Sequence, residues 1–368
     1  MKELLVNIVT GFLKNTLIVS LAVCLCGLAT HSQPVYAQAV YVDSNTGDDN
    51  NEGTEASPVL SIHKAMKIIE NRDNDAYVMK INPGLYIFDR HVAVSTEKDL
   101  TDKRIVIEAA ILPDDTSWTP EKMPIIVTKS QKGEILEKDL PIKDNWIVSF
   151  YINDSHVTMR GLKFLGYHYP SKIYYPIARF NRETTDLLVE QCMFVGDSQS
   201  AAIQVGIIAH GNGISVNHCV FYNVNNTVVF WKAPEEASKV GNSITNSIIF
   251  GSSCSGVWTA WPDTNFVFKN NIVSNCKYAW INEKGNAATY SIDDCIIVNN
   301  EHVQGVGTAG GVRPTAFETT ESNIIKEGEI SLRMIESVFK PIPKDHLHVL
   351  PNSLGHDIAA GLFKHKTQ

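Results

Sequence analysis

The sequence predicts an all-β fold, a β-solenoid, on three observations. Six ten-residue segments resemble one another, apolar and polar residues alternate within each, and the segments recur at nearly regular spacing. The separations between their sixth residues are 30, 27, 28, 24 and 24. Recurrence at such a period indicates a repeat architecture, and alternation with period two indicates strands. Each repeat is therefore expected to form part of one solenoid coil. The segments are 157–166, 187–196, 214–223, 242–251, 266–275 and 290–299.

Alignment of the repeats predicts which side chains form the core. Strand side chains alternate between faces, so two apolar columns are expected inside the solenoid. The sixth position carries three of the five cysteines that follow residue 39, and we expect these to fill the core as free thiols. The first interior column is Met159, Val189, Val216, Ile244, Phe268 and Ile292, the second is Phe164, Phe194, Phe221, Ile249, Val273 and Ile297, and the sixth-position column is Leu162, Cys192, Cys219, Ser247, Asn271 and Cys295.

The first 39 residues differ from the rest of the chain. Lys2 and Lys14 precede an apolar run over 16–29, and small residues follow at Ala37 and Ala39. This order is typical of a secretory signal peptide. The run is shorter than the roughly 20 residues that span a bilayer. We therefore predict a secreted, periplasmic or cell-surface protein that has no membrane span after cleavage.

Composition narrows the class of partner. The 368 residues are 44% hydrophobic and 20% charged, with a formal net charge of −8. Removing residues 1–39, which carry one net positive charge, leaves −9. An acidic balance argues against a nucleic-acid partner. We expect a monomer.

Both ends of the solenoid are predicted to be covered, because an open coil would expose core and an unpaired strand edge. Ser61 is a candidate N-cap for a helix whose apolar face is Ile62, Ala65, Met66 and Ile69. Further strands are predicted at 104–111, 123–129 and 146–152, followed by a tyrosine-rich loop over 167–176. Near the C-terminus, 331–339 has a helical pattern, and the tail is expected to cover the last coil. The predicted organisation is a signal peptide (1–39), an N-terminal cap and first coil (40–90), a parallel β-helix (91–326) and a C-terminal capping segment (327–368).

Eight residues of the N-terminal region follow a fixed spacing: Gly47, Asp48, Gly53, Thr54, Pro58, Pro83, Gly84 and Tyr86. On these residues the region resembles the entry of secreted right-handed parallel β-helix proteins of the pectin-lyase-like family. The resemblance, with the repeats, covers most of residues 40–326 and implies a right-handed parallel β-helix. Family members include polysaccharide lyases, glycoside hydrolases and carbohydrate-associated proteins without a known reaction, so the motif implies architecture rather than chemistry. The acidic loop Asp48–Glu52 is a calcium-binding candidate or a solvated capping loop, and the sequence leaves any cofactor other than calcium unknown.

A second strand is expected after the bend in each coil, and its outward side chains are the predicted site. Exposed aromatic residues in a row mark a binding surface, and sugar rings stack on such faces, so the expected partner is a polysaccharide or oligosaccharide. The predicted strands are 177–181, 203–206, 229–232, 257–260, 279–282 and 303–306. The substrate-binding candidates are Phe230, Trp258 and Trp280 as one outward column, with Trp261, His210 and Glu283 beside it. A slip of one residue would instead turn the three column aromatics into an internal stack.

The residue types favour elimination over hydrolysis. Glycoside hydrolysis needs two carboxylates about 5–10 Å apart, whereas Asp293 and Asp294 are adjacent and point to opposite faces. No histidine and cysteine cluster has the spacing of a metal site. β-Elimination needs a base and positive groups that stabilise an enolate. Lys232 and Arg179 are the catalytic candidates for that reaction.

Three hypotheses remain open from the sequence. The first is a secreted polysaccharide lyase that acts on a uronic-acid-containing polymer. The second is a glycoside hydrolase of the same fold. The third is a non-catalytic glycan-binding or structural surface protein.

Overall fold

The protein is a right-handed parallel β-helix, as the sequence predicted. The computed structural model describes residues 39–71, 77–96, 100, 103–129, 145–169, 172–236, 239–337 and 339–365. Apart from Ala39, the predicted signal peptide lies outside these residues. Among the described residues, no helix is long and apolar enough to cross a membrane.

Three sheets form the walls of the solenoid, and each coil contributes one strand to each sheet. Sheet A consists of β1 (Val40–Val42), β2 (Tyr77–Ile81), β5 (Ile105–Ala109), β8 (Val157–Arg160), β11 (Leu187–Glu190), β14 (Ile214–Asn217), β17 (Ser243–Thr245), β20 (Val267–Lys269), β23 (Tyr290–Asp293) and β27 (Thr319–Ser322). Sheet B consists of β3 (Leu85–Phe88), β6 (Ile125–Thr128), β9 (Lys163–Leu165), β12 (Met193–Val195), β15 (Val220–Tyr222), β18 (Ile248–Phe250), β21 (Ile272–Ser274) and β24 (Ile296–Val298). Sheet C consists of β4 (Val92–Val94), β7 (Trp146–Ile152), β10 (Ile173–Arg179), β13 (Val205–His210), β16 (Asn226–Lys232), β19 (Ser255–Thr259), β22 (Tyr278–Glu283), β25 (His302–Thr308) and β26 (Gly311–Arg313).

Neighbouring strands within each sheet pair in parallel, except that β25 and β26 form an antiparallel hairpin. A short 3₁₀ helix, Pro120–Lys122, lies between β5 and β6. The predicted strands at 104–111, 123–129 and 146–152 are confirmed as β5, β6 and β7. The predicted loop over 167–176 is shorter than expected, because β10 already begins at Ile173.

Each sequence repeat is two strands joined by a sharp corner rather than one continuous strand. The corner residue adopts a left-handed backbone, with φ between 49° and 73°. Glycine, asparagine and aspartate tolerate this conformation best. The corner therefore turns the chain from sheet A into sheet B while both flanking strands keep their apolar side chains inside. The corner residues are Gly161, Gln191, His218, Asn246, Asn270 and Asp294.

Both predicted interior columns are confirmed, since every member is at most 3% exposed. Asn271, in the sixth-position column, donates to the Ile244 carbonyl oxygen at 2.7 Å and accepts the Ser247 N–H at 3.0 Å. The cysteines in the described residues are free thiols, and those at 192, 219, 276 and 295 are buried. Burial raises the pKa of Cys276 to about 11 and that of Cys295 to about 12, so they behave as core side chains.

Helix α1 (Ile62–Asn71) forms where it was predicted and buries the predicted face. The Ser61 hydroxyl accepts the Lys64 N–H at 3.1 Å, which is an N-cap contact. Asp49, in the acidic loop, accepts hydrogen bonds from both the Ser61 N–H and its hydroxyl. The Asp49 carboxylate, part of the calcium-binding candidate, thus already fixes the start of the helix. Asp48 accepts a hydrogen bond from the backbone N–H of Asn50.

The C-terminal segment differs from the prediction in two ways. The described residues of 331–339 form no helix; instead Leu332 makes a β-bridge with Val349. The segment also does not stop at the last coil but packs along the outer face of sheet B, which is apolar and requires cover. The outward residues that it covers include Met193, Val220, Ile248, Ile272 and Ile296, and its own contributions include Ile330, Leu332, Leu347, Val349 and Leu362.

Candidate functional site

A groove of about 700 Å³ lies on the outer face of sheet C, across β7, β10, β13, β16 and β19. Ile208 and Val229 form its apolar floor and pair directly across two strands. Five strands at a spacing of about 4.8 Å give an axial length of about 19 Å between the outermost two, which suits a linear polymer better than a single small molecule. The lining residues are Asn145, Trp146, Ile173, Tyr175, Phe180, Arg182, Val205, Ile208, His210, Asn226, Val229, Trp231, Lys232 and Trp258.

Aromatic side chains form two walls of the groove. At one wall the rings of Trp146 and Phe180 stack, with centroids 4.9 Å apart and planes at 30°. At the other wall, Trp231 meets Trp258 edge to face, with centroids 6.0 Å apart. Aromatic pairs of this kind hold large apolar faces in fixed orientations. The groove therefore offers preformed flat surfaces at two positions along its length.

A β-bulge places Lys232 beside Trp231 on the outer face of sheet C. Ala209 pairs with Phe230, but the next residue, His210, pairs with Lys232, so Trp231 is the extra residue of β16. A bulge re-aims the side chains around it. Alternation alone turns Trp231, 42% exposed, outward after the buried Phe230, and the bulge places Lys232 on the outer face as well, opposite His210.

Basic side chains gather at the end of β13 and β16. Arg182 is engaged: it donates to the carbonyl oxygens of Ala233 and Pro234 and pairs with Glu235 at 2.7 Å. Lys232 is exposed and makes no ion pair with any residue in the described part of the chain. It is thus the lining cation that remains available to a ligand.

His210 is held in one tautomer. Its Nδ1 lies 3.0 Å from the Phe180 carbonyl oxygen, which can only accept, so Nδ1 carries the proton. Burial lowers the pKa of His210 to about 4, and the positive charges of Lys232, Arg179 and Arg182 act in the same direction. At neutral pH the imidazole is therefore uncharged, with Nε2 as its unprotonated nitrogen.

Arg179 does not face the groove, contrary to the prediction. It is fully buried, in the interior column of β10, opposite Ala209. Its guanidinium donates to the carbonyl oxygen of His210 from both Nε (3.1 Å) and Nη2 (2.8 Å), and to that of Asn212 (2.6 Å). Burial lowers the pKa of Arg179 to about 9. Arg179 thus braces the turn behind His210 and cannot touch a ligand in the groove.

The predicted outward column of three aromatics is also wrong. Register places Trp258 opposite Val229 and Ile281, whereas Phe230 lies opposite Thr259 and Trp280 opposite Val257. Phe230 and Trp280 therefore point into the solenoid, and both are at most 3% exposed.

The inward pair belongs to an internal aromatic cluster, as the alternative register anticipated for two of the three rings. Phe230 meets Phe266 edge to face at 5.1 Å. Trp280 packs on Phe268 at 5.0 Å and donates its indole N–H to the Thr259 hydroxyl at 3.0 Å. These contacts serve the core rather than a ligand.

The other candidates take different positions. Trp258, His210 and Lys232 lie together in the groove. Glu283 stands behind Trp258 and accepts its indole N–H at 3.1 Å. Trp261 is half-buried and does not line the groove; its carbonyl oxygen accepts from Asn286 and Tyr290.

Sequence reasoning missed Trp146, Phe180 and Trp231. The adjacent pair Phe230 and Trp231 carried a usable signal, because two successive strand residues cannot both point inward. Of the loop tyrosines, Tyr175 lines the groove, while Tyr174 points inward and hydrogen-bonds Ser149 at 2.8 Å. Within the described residues, no group of three histidine, cysteine or acidic side chains is placed to hold a metal ion.

Comparison with known proteins finds several solved structures that are similar to this chain. A scan of protein-family models finds no match, and neither does a search of curated proteins. One similar structure is a GH136 lacto-N-biosidase from Eubacterium ramulus, with 10% identity and a TM-score of 0.42, covering 78% of this chain and 55% of that one. The chain thus spans about half the length of that protein. Others are a rhamnogalacturonan lyase (13% identity, TM-score 0.39, 88% and 99% coverage) and XylC with xylose (10% identity, TM-score 0.42, 78% and 68% coverage).

Proposed function

We propose that this protein is a carbohydrate-active β-helix protein that binds an anionic, uronic-acid-containing polysaccharide in the sheet C groove and cleaves it by β-elimination. The observation that carries the proposal is the combination of two aromatic walls with an unpaired Lys232 in one open groove. We further propose that it acts outside the cytoplasm, as its N-terminal segment predicts.

The walls supply affinity for sugar rings. Trp146 with Phe180, at β7 and β10, and Trp231 with Trp258, at β16 and β19, present flat apolar faces at two positions along a groove that extends along the solenoid axis. A linear glycan can place several rings between them. Because the faces are fixed by ring–ring contacts, little side-chain entropy is lost on binding.

Lys232 supplies the charge that the reaction needs. Elimination removes the proton next to a uronate carboxylate, and negative charge then builds up on that carboxylate. An ammonium group without a competing carboxylate is suited to stabilise it. Arg179, the other catalytic candidate from the sequence, has no such role because it is buried.

The groove argues against hydrolysis as the reaction. Among the described residues that line it, none is aspartate or glutamate, whereas hydrolysis generally requires two carboxylates that flank the scissile bond. Glu283, the acidic candidate from the sequence, does not line the groove, and its Oε2 already accepts the Trp258 indole N–H. Non-catalytic glycan binding, supported by the same aromatic walls, is the second candidate.

A panel of polysaccharides separates these functions. The purified protein is incubated with polygalacturonate, alginate, glucuronate-containing polymers and neutral polysaccharides, with and without calcium. Ultraviolet absorbance reports the unsaturated product, a reducing-sugar assay reports all cleavage, and calorimetry reports binding. We expect absorbance to rise with at least one polyuronate. New reducing ends without absorbance would indicate hydrolysis, binding alone a glycan-binding protein, and no interaction would refute the proposal.

A further inference from the structure

We infer that His210 is the general base of this reaction, and that its Nε2 takes the proton from the carbon next to the uronate carboxylate. This inference rests on the proposed function and deepens it. It replaces the role that the sequence assigned to Arg179.

Three features of the structure fit His210 to this role. It lines the groove at the end of β13, and the bulge places it opposite Lys232, the cation proposed to meet the carboxylate. Its Nδ1–H is held by the Phe180 carbonyl oxygen, which leaves the lone pair on Nε2. Its ring meets the Phe180 ring edge to face at 5.2 Å, which restricts rotation.

The surroundings keep this imidazole unprotonated at neutral pH. The charged groups that act on its pKa are Lys232 from β16, Arg179 from the interior side of β10 and Arg182 after β10; all three are cations, and Arg182 is paired with Glu235. Protonation would add a fourth positive charge to a buried position. The base is therefore already in its active form before substrate arrives, although the low basicity limits its strength.

Arg179 has a positioning role in this arrangement. Its guanidinium holds the carbonyl oxygens of His210 and Asn212 from inside the solenoid, which fixes the backbone that carries the imidazole. The side chain of His210 can then face outward without freedom to swing. A base held in a fixed orientation loses less orientational freedom when the reactive geometry is reached.

The step balances without a further reagent. Nε2 takes the proton, the C–H electron pair becomes the new carbon–carbon double bond, and the bond to the neighbouring glycosidic oxygen breaks. That oxygen takes a proton from groove water, and the imidazolium then loses its proton to solvent. The products are one chain with an unsaturated uronate end and one with an ordinary end.

The test uses His210→Gln in the full chain. Glutamine can still donate an N–H to the Phe180 carbonyl oxygen but has no basic nitrogen, so affinity for the polyuronate should stay within about threefold. Turnover should fall by about 10²–10⁴-fold. His356→Gln, at an exposed position remote from the groove lining, is the matched control and should keep wild-type turnover.

The outcomes distinguish this inference from the proposed function. If the wild type cleaves polyuronates and His210→Gln cleaves them within fivefold as fast, the base assignment is overturned and the lyase function stands. If the wild type produces no unsaturated product, both fall. Long-range proton–nitrogen NMR of the wild type gives a test independent of the variant's folding: Nδ1–H at neutral pH supports the assignment, and an Nε2–H tautomer overturns it.

Discussion

The indole Nε1 of Trp258 donates a hydrogen bond to Oε2 of Glu283, one coil further along the solenoid, at 3.1 Å. The bond fixes the rotation of a ring that forms one wall of the groove, since Trp258 also meets Trp231 edge to face. An acidic residue that the sequence placed in contact with substrate thus acts through a neighbouring aromatic.

Glu283→Gln should therefore be nearly silent, whereas Glu283→Ala should weaken glycan binding. The glutamine carbonyl oxygen can still accept the indole N–H, but alanine leaves Trp258 free to rotate. We expect a loss of about threefold in affinity for alanine, close to 0.7 kcal/mol, and less than twofold for glutamine, by calorimetry. Loss of turnover in the glutamine variant would show that the carboxylate takes part in the chemistry.

Lys232→Ala should weaken binding of a polyuronate by about tenfold, equivalent to one charge-assisted contact. Because Lys232 is exposed, this contact is screened by salt. The affinity of the variant should therefore depend less on ionic strength than that of the wild type. Lys67→Ala, on the exposed side of α1, removes the same charge far from the groove and should change neither quantity. Equal salt dependence in Lys232→Ala and wild type would exclude a direct ionic contact.

The solenoid itself could be predicted from the sequence because its repeats can be aligned with one another position by position. Every coil repeats the inward positions, so the columns that begin with Met159 and Phe164 follow from simple alignment. The outer face of sheet C could not be predicted in this way. Connections to its strands vary in length and β16 carries a bulge, so aligning Phe230, Trp258 and Trp280 by residue type gave a false column.

Two further errors have physical causes that the residues themselves reveal. Arginine is rarely buried, yet Arg179 is buried because the backbone carbonyl oxygens of a turn take the place of a carboxylate. The C-terminal segment runs beside the solenoid because sheet B has apolar outward residues such as Val220 and Ile248. Those residues, read as a third apolar column, were a signal that a cover was required.

Arg179→Met should destabilise the protein while leaving substrate contacts in place. Methionine keeps much of the volume but leaves the carbonyl oxygens of His210 and Asn212 without their donor. A buried polar group without a partner costs about 1–3 kcal/mol, offset in part because a buried charge is removed. We expect a lower midpoint in urea unfolding. Removing the charge should also raise the pKa of His210 toward its ordinary value, which NMR titration can follow. Unchanged stability with abolished turnover would instead favour a direct catalytic role.

His348 makes the stability of the C-terminal segment depend on pH. Its Nδ1 donates to the His346 carbonyl oxygen at 3.0 Å, and its Nε2 accepts the Leu362 N–H at 2.9 Å. Burial lowers the pKa of His348 to about 4. Backbone hydrogen bonds to His346 and Asp345 and the charge of Asp345 act to raise it, and the charge of His346 acts to lower it. If Nε2 were protonated, its N–H would face the N–H of Leu362, so the folded state requires the neutral ring.

The sign of the effect follows from proton binding. Below the unfolded pKa of about 6.5 the unfolded chain binds a proton at this site and the folded chain does not. The free energy of unfolding should therefore fall as pH falls from about 6.5 to 4, by roughly 3 kcal/mol from this residue. Other buried histidines, His91 and His210 among them, have lowered pKa values and add to the same slope. The contribution of His348 is thus isolated by comparison with a variant.

His348→Gln is that variant, because glutamine can donate to the His346 carbonyl oxygen and accept the Leu362 N–H without titrating. Urea unfolding at several pH values between 4 and 7 should give a shallower pH dependence for His348→Gln than for wild type. His356→Gln, at an exposed position, should follow the wild-type curve. Parallel curves for wild type and His348→Gln would mean that the ring is not held neutral by the fold. Divergence of the two below about pH 6.5, with His348→Gln the more stable near pH 4, would show that protonation of this one side chain weakens the hold of the C-terminal segment on sheet B.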